Sequence, residues 1–290
     1  MNHPPSVGMA LWLLEGGGLV ERVAWLARNG FGGVSLLQSV MDADRRERQE
    51  AAAAIVDEGL WVTYHGNVNH KLSADGELNM EFAARLKDDV LWWHENTCGV
   101  SCCCCDPIHV SRPDGAKHFD FDMNRRHLRF MHSCLSPHDI PIGIENSYGG
   151  EGLFCSLADI AQFKTMCPNT PMGMLLDVGH ANIHVRSDAN SREHNGDVAG
   201  YVRQLPHEFL EVHLSDNKGA EDDHMYLGWG NLDLPDLFGV LKERNFRGRL
   251  TVEVCYDRLG GKAAADIREP AETDGLLTSR DKILSAWASV

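Results

Sequence analysis

Short runs of apolar residues alternate along the chain with longer segments in which apolar residues recur at helical spacing. This alternation is typical of βα units, in which a helix follows each strand and the strands form a parallel sheet. The apolar runs predict strands over residues 7–14, 33–37, 61–66, 100–105, 141–146, 172–178, 210–215 and 249–254.

Helical periodicity predicts helices over residues 19–29, 44–58, 79–97, 120–138, 156–167, 195–204, 235–245 and 278–289. The complete set of units predicts an α/β fold, a single-domain (β/α)8 TIM barrel over residues 1–290. The competing architecture is a doubly wound open sheet, which normally carries a glycine-rich phosphate loop after its first strand. The segment Glu15-Gly16-Gly17-Gly18 lacks the GxGxxG spacing of such a loop, so the barrel is favoured.

Composition and charge narrow the class of function. Hydrophobic residues make up 43% of the 290 residues and charged residues 24%, as in ordinary globular proteins. Lys and Arg number 27 against 42 Asp and Glu, and the net charge of −15 weighs against binding to nucleic acid or to an anionic membrane. It does not exclude nucleic acid, because a bound metal cluster can supply local positive charge. No apolar stretch reaches the ~18 residues of a membrane span, and the first residues lack the basic start of a signal peptide. We therefore expect a cytoplasmic protein.

The cysteines are expected to be packing residues. The chain has nine, four of them adjacent at 102–105, and an odd number in a chain of this length is not a disulfide framework. Adjacent side chains on a strand point to opposite faces, so at most alternate thiols converge. Cysteine also serves as a small apolar core residue, which favours packing over metal binding.

Acidic and imidazole side chains stand where the later apolar strands end. Active sites of (β/α)8 barrels form at the C-terminal ends of the strands, so these side chains are expected to share one face. A buried carboxylate or imidazole needs a partner, and one cation satisfies several of them. The pattern predicts a divalent metal site built from among Glu145, Asp177, His180, His213, Asp216 and Glu253.

Motifs in the second half of the chain resemble the xylose isomerase-like barrel superfamily. They are GIEN (143–146), LLDVGHAN (175–182), VHLSDNKG (212–219), DDHMYLGWGNLD (222–233) and TVEV (251–254). The first half resembles the superfamily only through its rhythm of strands. The superfamily includes sugar and sugar-phosphate isomerases and epimerases, hydroxypyruvate isomerase, inosose and dehydroshikimate dehydratases, and the endonuclease IV family.

The resemblance to the isomerase and epimerase branch implies a single Mn²⁺, Mg²⁺ or Co²⁺ held by Glu145, Asp177, His213 and Glu253. It also implies that Glu145 and Glu253 are the catalytic acid and base, transferring a carbon-bound proton through a metal-stabilised enediolate. His180 is expected to contact a substrate hydroxyl. The implied activity belongs to carbohydrate metabolism, with a sugar, sugar phosphate or hydroxy-ketone as the small polyhydroxylated substrate.

The resemblance to the endonuclease IV branch implies instead a Zn²⁺ cluster that cleaves abasic DNA. The additional ligands of that branch match His65, His180, Asp222 and His224. Where that family places a histidine on the fourth strand, this chain has Asp106, with His109 close by. The acidic net charge and the absence of basic loops after the early strands weigh against nucleic acid as a partner. The superfamily resemblance is also compatible with a carbon–oxygen lyase or dehydratase and with a noncatalytic barrel subunit.

Further residues near the predicted mouth of the barrel are candidates for substrate binding. Trp12 and Trp229 offer aromatic faces that suit a sugar ring, and His65 and Lys218 can bind hydroxyl or phosphate groups. The segment 257–277 is longer than most βα connections and is expected to form a lid or an oligomer contact. A homo-oligomer is compatible with the superfamily resemblance.

Overall fold

Short buried segments form the strands of the computed structural model, which describes residues 5–66, 72–73, 76–111, 116–149, 153–166, 170–187, 196–258 and 261–290. The strands are β1 (Val7–Ala10), β2 (Gly33–Leu37), β3 (Trp61–Gly66), β4 (Val100–Cys105), β5 (Ile142–Glu145), β6 (Gly173–Asp177), β7 (Phe209–Leu214) and β8 (Arg249–Val252). Each pairs in parallel with its predecessor, and β8 pairs with β1 to close the sheet. The predicted barrel is confirmed.

Helices connect the strands and pack their apolar faces into the core around the barrel. They are α1 (Leu19–Arg28), α2 (Arg45–Asp57), α3 (Met80–Asn96), α4 (Phe121–Leu135), α5 (Leu157–Met166), α6 (Val178–Arg186), α7 (Val198–Gln204), α8 (Leu234–Glu243) and α9 (Pro270–Ala288). Several of these helices begin with a polar N-cap residue, whose side-chain oxygen accepts hydrogen bonds from otherwise unpaired amides of the first turn. Asp44, Asn79 and Asp233 do so for α2, α3 and α8.

Helix α6 is an element that the apolar pattern does not predict. The sequence predicts a strand through residue 178 and the next helix over 195–204, whereas α6 starts at Val178, directly after β6. Asp177 Oδ1 accepts a hydrogen bond from the backbone amide of His180 at 2.7 Å, so the last strand residue is also the helix cap. No turn residues separate the two elements, and the sequence signal of a boundary is missing. Residue 195 lies outside the described residues.

Other boundaries differ from prediction at the two ends of the chain. β1 ends at Ala10, and residues 11–13 form a 3-10 turn instead of continuing the strand. Helix α9 begins at Pro270, eight residues before the predicted start, because proline fits the first helical turn, where its missing N–H is not needed. The segment 257–277 therefore contributes the start of α9. Part of it also forms an antiparallel pair of strands, Tyr256–Arg258 with Gly261–Ala263.

Two further pairs of short strands lie outside the barrel sheet. Leu14–Glu15 pairs in parallel with Ala265–Asp266, and His109–Ser111 pairs antiparallel with Lys117–Phe119.

None of the helices in the described parts of the chain is long and apolar enough to cross a bilayer.

A large aromatic side chain fills the barrel interior at the N-terminal ends of the strands. The indole of Trp61 covers Gly33, where an added Cβ would lie 1.9 Å from Trp61 Cδ2. The guanidinium of Arg249 lies 5.2 Å from the centre of the same ring. This end of the barrel is therefore plugged.

The cysteines of β4 pack on both faces of the sheet, as predicted. Cys102 and Cys104 face the barrel interior beside Leu175, whereas Cys103 and Cys105 belong to the larger core between barrel and helices. All four are buried. Their alternation follows from the two-residue period of a strand.

Candidate metal centre

The predicted ligands lie at the ends of four consecutive strands. Glu145 and Asp177 are the last residues of β5 and β6, His213 is next to last in β7, and Glu253 follows β8 directly. Asp177 and His213 are paired in register. Because parallel strands in one closed sheet present their C-terminal ends on one face, the four side chains form an arc at the mouth of the barrel.

Two overlapping groups of ligand atoms make up this arc. Asp177, His213 and Glu253 form one group, and Glu145, Asp177 and His180 form the other, with the ligand atoms of each group within 4.8 Å of one another. His213 Nδ1 lies 2.7 Å from Glu253 Oε2, and His180 Nδ1 lies 3.2 Å from Glu145 Oε1. Asp177 belongs to both groups and therefore joins the two ends of the arc.

The carboxylate of Asp177 fits a cation. Its Oδ1 accepts a hydrogen bond from the amide of His180, whereas the buried Oδ2 has no hydrogen-bond partner among the described residues. Burial raises the pKa of this carboxyl. A buried acceptor without a donor destabilises the fold. A divalent ion bound by Asp177, His213 and Glu253 would give Oδ2 a partner. Carboxylates and imidazole without thiolate suit Mn²⁺ or Mg²⁺ and also accept Zn²⁺.

A third group extends the site toward β3 and β4. The ligand atoms of His65, Asp106 and Glu145 lie within 4.8 Å of one another, and His65 Nε2 is 2.8 Å from Asp106 Oδ1. Asp106 therefore stands beside His65 as one of the predicted additional ligands. His109 does not join this group, because it begins a short hairpin that turns its ring toward the Leu153 carbonyl, 3.1 Å from Nε2.

The loop after β7 brings two more predicted ligands to the site. Asp222 Oδ2 lies 3.1 Å from His224 Nε2, and Asp222 Oδ1 lies 3.7 Å from His180 Nε2. Asp216 plays a different part from the one expected for a carboxylate after a strand. Its two oxygens accept hydrogen bonds from backbone amides of the same loop, those of residues 217, 228 and 232. Backbone donors thus satisfy Asp216, and it shapes the loop.

The two glutamates at the ends of the arc have opposite pKa shifts. Burial raises the pKa of Glu145 to about 8. Burial also disfavours ionisation of Glu253, but the positive charge of His213 outweighs it and lowers the pKa of Glu253 to about 2. The same pairing raises the pKa of His213 well above its ordinary value, against the effect of burial. Without a cation, the surroundings of the two carboxyls thus favour the neutral form of Glu145 and the ionised form of Glu253.

The outer residues of the site carry the same electrostatic pattern. Burial disfavours the charged imidazole of His65, yet Asp106 raises its pKa to about 9. His224 has a pKa of about 9 because its hydrogen bond with Asp222 outweighs burial. Burial opposes ionisation of Asp222, but the nearby imidazoles of His180 and His224 hold its pKa well below the usual range. Acidic and imidazole groups thus alternate around the mouth.

Aromatic rings flank this polar centre. Trp12 stacks on His65, with ring centroids 5.6 Å apart and an angle of 23° between planes. Tyr148, which the sequence motifs did not identify, lies 4.7 Å from the ring of His180 and is 39% exposed. The only sequence signal for Tyr148 is its position three residues after Glu145. Trp229 and Lys218 are both exposed on the loop after β7, and Trp229 packs edge-on against Tyr226.

Comparison with known proteins places this geometry in a family. The family model described as "Xylose isomerase-like TIM barrel" matches residues 23–274. A curated protein, the uncharacterized MJ1311 of Methanocaldococcus jannaschii, is 26% identical over 136 residues, which is 46% of this chain. The matched region spans 43% of that relative, less than half of its length.

Solved structures share the fold over nearly the whole chain. A D-tagatose 3-epimerase-like protein is 16% identical with a TM-score of 0.71, covering 97% of this chain and 98% of its own. D-psicose 3-epimerase, solved in the presence of D-fructose, is 16% identical with a TM-score of 0.70, covering 98% and 97%. An AP endonuclease, family 2, from Brucella melitensis is 19% identical with a TM-score of 0.62, covering 87% and 93%. At these identities the likeness concerns the fold alone.

Proposed function

Since this chain belongs to the xylose isomerase-like TIM barrel family, we propose that it is a divalent-cation-dependent epimerase or isomerase of small polyhydroxylated ketones or aldehydes. The observation that carries the proposal is the placement of two buried carboxyls, Glu145 and Glu253, at the ends of an arc whose middle is Asp177 and His213. A substrate seated on the arc has one carboxyl on each side of its reacting carbons. Removal of a proton by one group and its return by another requires this arrangement.

The two carboxyls have distinct roles in this proposal. Glu253 is ionised near neutral pH and is the base that takes the carbon-bound proton. Glu145, on the other side of the reacting carbons, is the group that returns a proton. Environments that push two carboxyl pKa values apart are typical of acid and base pairs. A bound Mn²⁺ or Mg²⁺ would polarise the substrate carbonyl and stabilise the negative charge that develops on its oxygen.

The residues around the arc are proposed to hold the substrate. His180 lies beside Glu145, and its Nδ1 is also 2.8 Å from the carbonyl oxygen of Asn146, so the ring is fixed at the mouth. Trp12 and Tyr148 place aromatic faces near His65 and His180. Aromatic faces bind the apolar faces of sugar rings, while imidazoles bind the hydroxyls. The sugar epimerases among the proteins of similar fold support this substrate class.

Solvent isotope exchange tests the proposed reaction. The protein is incubated with a panel of ketoses in D₂O, with Mn²⁺ or Mg²⁺ and separately after treatment with chelator. We expect deuterium to enter a C–H position of at least one sugar with the cation and not after chelation. Failure to exchange a C–H in every sugar, together with nicking of abasic DNA, would overturn the proposal.

A zinc-dependent phosphodiesterase acting on abasic DNA is the second candidate function. One observation favours it: further acidic and imidazole side chains lie next to the central arc on both sides. They are His65 and Asp106 on one side and Asp222 and His224 on the other. These residues extend the ligand set beyond the needs of a single ion. Metal analysis of the purified protein separates the candidates. About one Mn²⁺ or Mg²⁺ per chain supports proton transfer, whereas two or three Zn²⁺ support phosphodiester cleavage.

A further inference from the structure

Glu211 is a buried carboxylate that stands outside the proposed ligand set. It lies on β7 two residues before His213, so both side chains face the barrel interior, with Glu211 one layer deeper. The side chains that contact it in that layer are uncharged, and they belong to Thr63, Thr251 and Cys102. Glu211 is fully buried. A carboxylate at this depth needs donors, and their identity determines what it does.

Donors converge on one oxygen of Glu211. The hydroxyl of Thr63, from the opposite side of the barrel, donates to Oε1 at 2.8 Å, and the hydroxyl of Thr251 donates to the same atom at 2.6 Å. The buried His213 Nε2 lies 3.3 Å from Oε1, within ion-pair distance, and has no hydrogen-bond partner of better geometry among the described residues. Because Oε1 already accepts two hydrogen bonds, it also faces the imidazole as an acceptor. The hydrogen between the two groups is therefore on Nε2 of His213.

The second ring nitrogen of His213 is then determined. Without a cation the raised pKa of His213 keeps a hydrogen on both ring nitrogens. A cation that binds the ring displaces one of them, and an imidazole that keeps its hydrogen on Nε2 then has its lone pair on Nδ1. Nδ1 lies 2.7 Å from Glu253 Oε2 and belongs to the group formed with Asp177. In the cation-free protein a hydrogen on Nδ1 lies between these two atoms, and a bound cation would take the place of that hydrogen. The ring thus offers Nδ1 to a cation shared with two carboxylates.

We propose that Glu211 is a positioning residue for the cation: its Oε1 holds the Nε2–H tautomer of His213 and so commits Nδ1 to ligation. A carboxylate that orients a metal-binding histidine strengthens the ligand and fixes the plane of its ring. Thr63 and Thr251, from two other strands, fix the position of the Glu211 carboxylate by donating hydrogen bonds to it. This inference rests on the cation site of the proposed function, and it is independent of which reaction the site catalyses.

Mn²⁺ affinity tests the role of Glu211. The wild-type protein, Glu211→Gln and Cys102→Ala are titrated with Mn²⁺ alone, and free Mn²⁺ is measured by electron paramagnetic resonance. Glu211→Gln keeps the size of the side chain and removes its charge, and we expect its Mn²⁺ dissociation constant to rise about 10- to 100-fold. Cys102→Ala removes another contact of Glu211, Sγ to Oε2 at 3.9 Å, from the same layer. It is expected to bind Mn²⁺ as the wild type does.

Two outcomes of the titration contradict the proposal. They are wild-type affinity in Glu211→Gln, and an equal loss of affinity in Cys102→Ala, which would assign the effect to core packing. A merely structural role would lower the melting temperature of the cation-free protein without changing the dissociation constant.

A tautomer measurement needs no variant. In ¹⁵N-histidine-labelled wild-type protein loaded with Mg²⁺, we expect the His213 resonances to show a protonated Nε2 and an unprotonated Nδ1. A protonated Nδ1 would overturn the proposal. Neither measurement uses a sugar, so absence of isotope exchange with every sugar would refute the proposed reaction and leave the role of Glu211 standing.

Discussion

The ring Nδ1 of His224 lies 2.9 Å from the main-chain oxygen of Glu253, which ties the loop after β7 to the end of β8. The backbone reinforces this link, because the amide of Cys255 donates to the His224 carbonyl at 2.9 Å. His224 has a φ of 48°, a left-handed conformation that is uncommon for a residue with a Cβ. The loop and the strand end are therefore held together by a residue whose conformation costs energy on its own.

Two substitutions of His224 distinguish the energetic cost of its left-handed backbone conformation from the function of its side chain. Asn tolerates the left-handed region better than Ala, while both lose the imidazole. We expect His224→Ala to unfold with a free energy lower than that of His224→Asn by about 1 kcal/mol. Because both variants lack the imidazole, their Mn²⁺ affinities should equal each other, as measured by Mn²⁺ titration. Equal stability of the two variants in urea unfolding would show that the backbone conformation is not costly.

Substitution of the acid and base tests their division of labour. Glu253→Gln and Glu145→Gln keep the shape of each side chain and remove its proton transfer, so each should lower kcat about 10²- to 10⁴-fold. Circular dichroism should show an intact fold in both. Glu208, exposed just before β7, provides a matched control, and Glu208→Gln should retain full activity. Retention of isotope exchange in Glu253→Gln would contradict the assignment of the base.

Asp177 combines a helix cap with a proposed ligand, and two variants distinguish these roles. Asp177→Asn keeps an oxygen that can accept the His180 amide, so α6 should remain capped while cation affinity falls. Asp177→Ala removes both functions and should cost about 1 kcal/mol more in unfolding free energy with chelator present. Urea unfolding and Mn²⁺ titration check the two effects. Wild-type Mn²⁺ affinity in Asp177→Asn would exclude Asp177 as a ligand.

The raised pKa of Glu145 predicts how cation-free stability depends on pH. The folded carboxyl titrates at about 8, well above its value of 4.5 in the unfolded chain, so the folded state binds more protons between these values. The contribution of Glu145 to stability is present below pH 4.5 and is lost as the pH rises to about 8. Urea unfolding with chelator should show this loss, and Glu145→Gln should diminish it. An unchanged pH profile in Glu145→Gln would contradict the raised pKa.

The two tryptophans near the mouth differ in their contacts, and we expect them to differ in substrate binding. Trp12 stacks on His65 beside the ligand groups, whereas Trp229 is 64% exposed and packs against Tyr226. Trp12→Ala should raise KM for a sugar substrate about 5- to 10-fold, equivalent to roughly 1 kcal/mol of lost ring contact. Trp229→Ala should have a smaller effect on KM. A larger effect at Trp229 would move the substrate toward the loop after β7.

The strands of the barrel and the convergence of the four proposed ligands could be predicted from the amino-acid sequence. Each strand is a local apolar run, and Glu145, Asp177, His213 and Glu253 stand at strand ends, which a closed parallel sheet necessarily places on one face. The local pattern of apolar residues therefore predicted most of the barrel architecture. It missed α6, because the same residue, Asp177, ends the strand and caps the helix.

Which polar residues meet depends on the folded arrangement of strands and loops. Asp216 and His109 resemble ligands in the sequence, yet backbone amides satisfy the first and a hairpin turns away the second. Glu211 and Tyr148 carry no motif, and their proposed roles arise only because barrel closure places Thr63 opposite Glu211 and His180 beside Tyr148. Such contacts join residues from different strands and loops. They depend on closure and on loop geometry, and periodicity along the chain encodes neither.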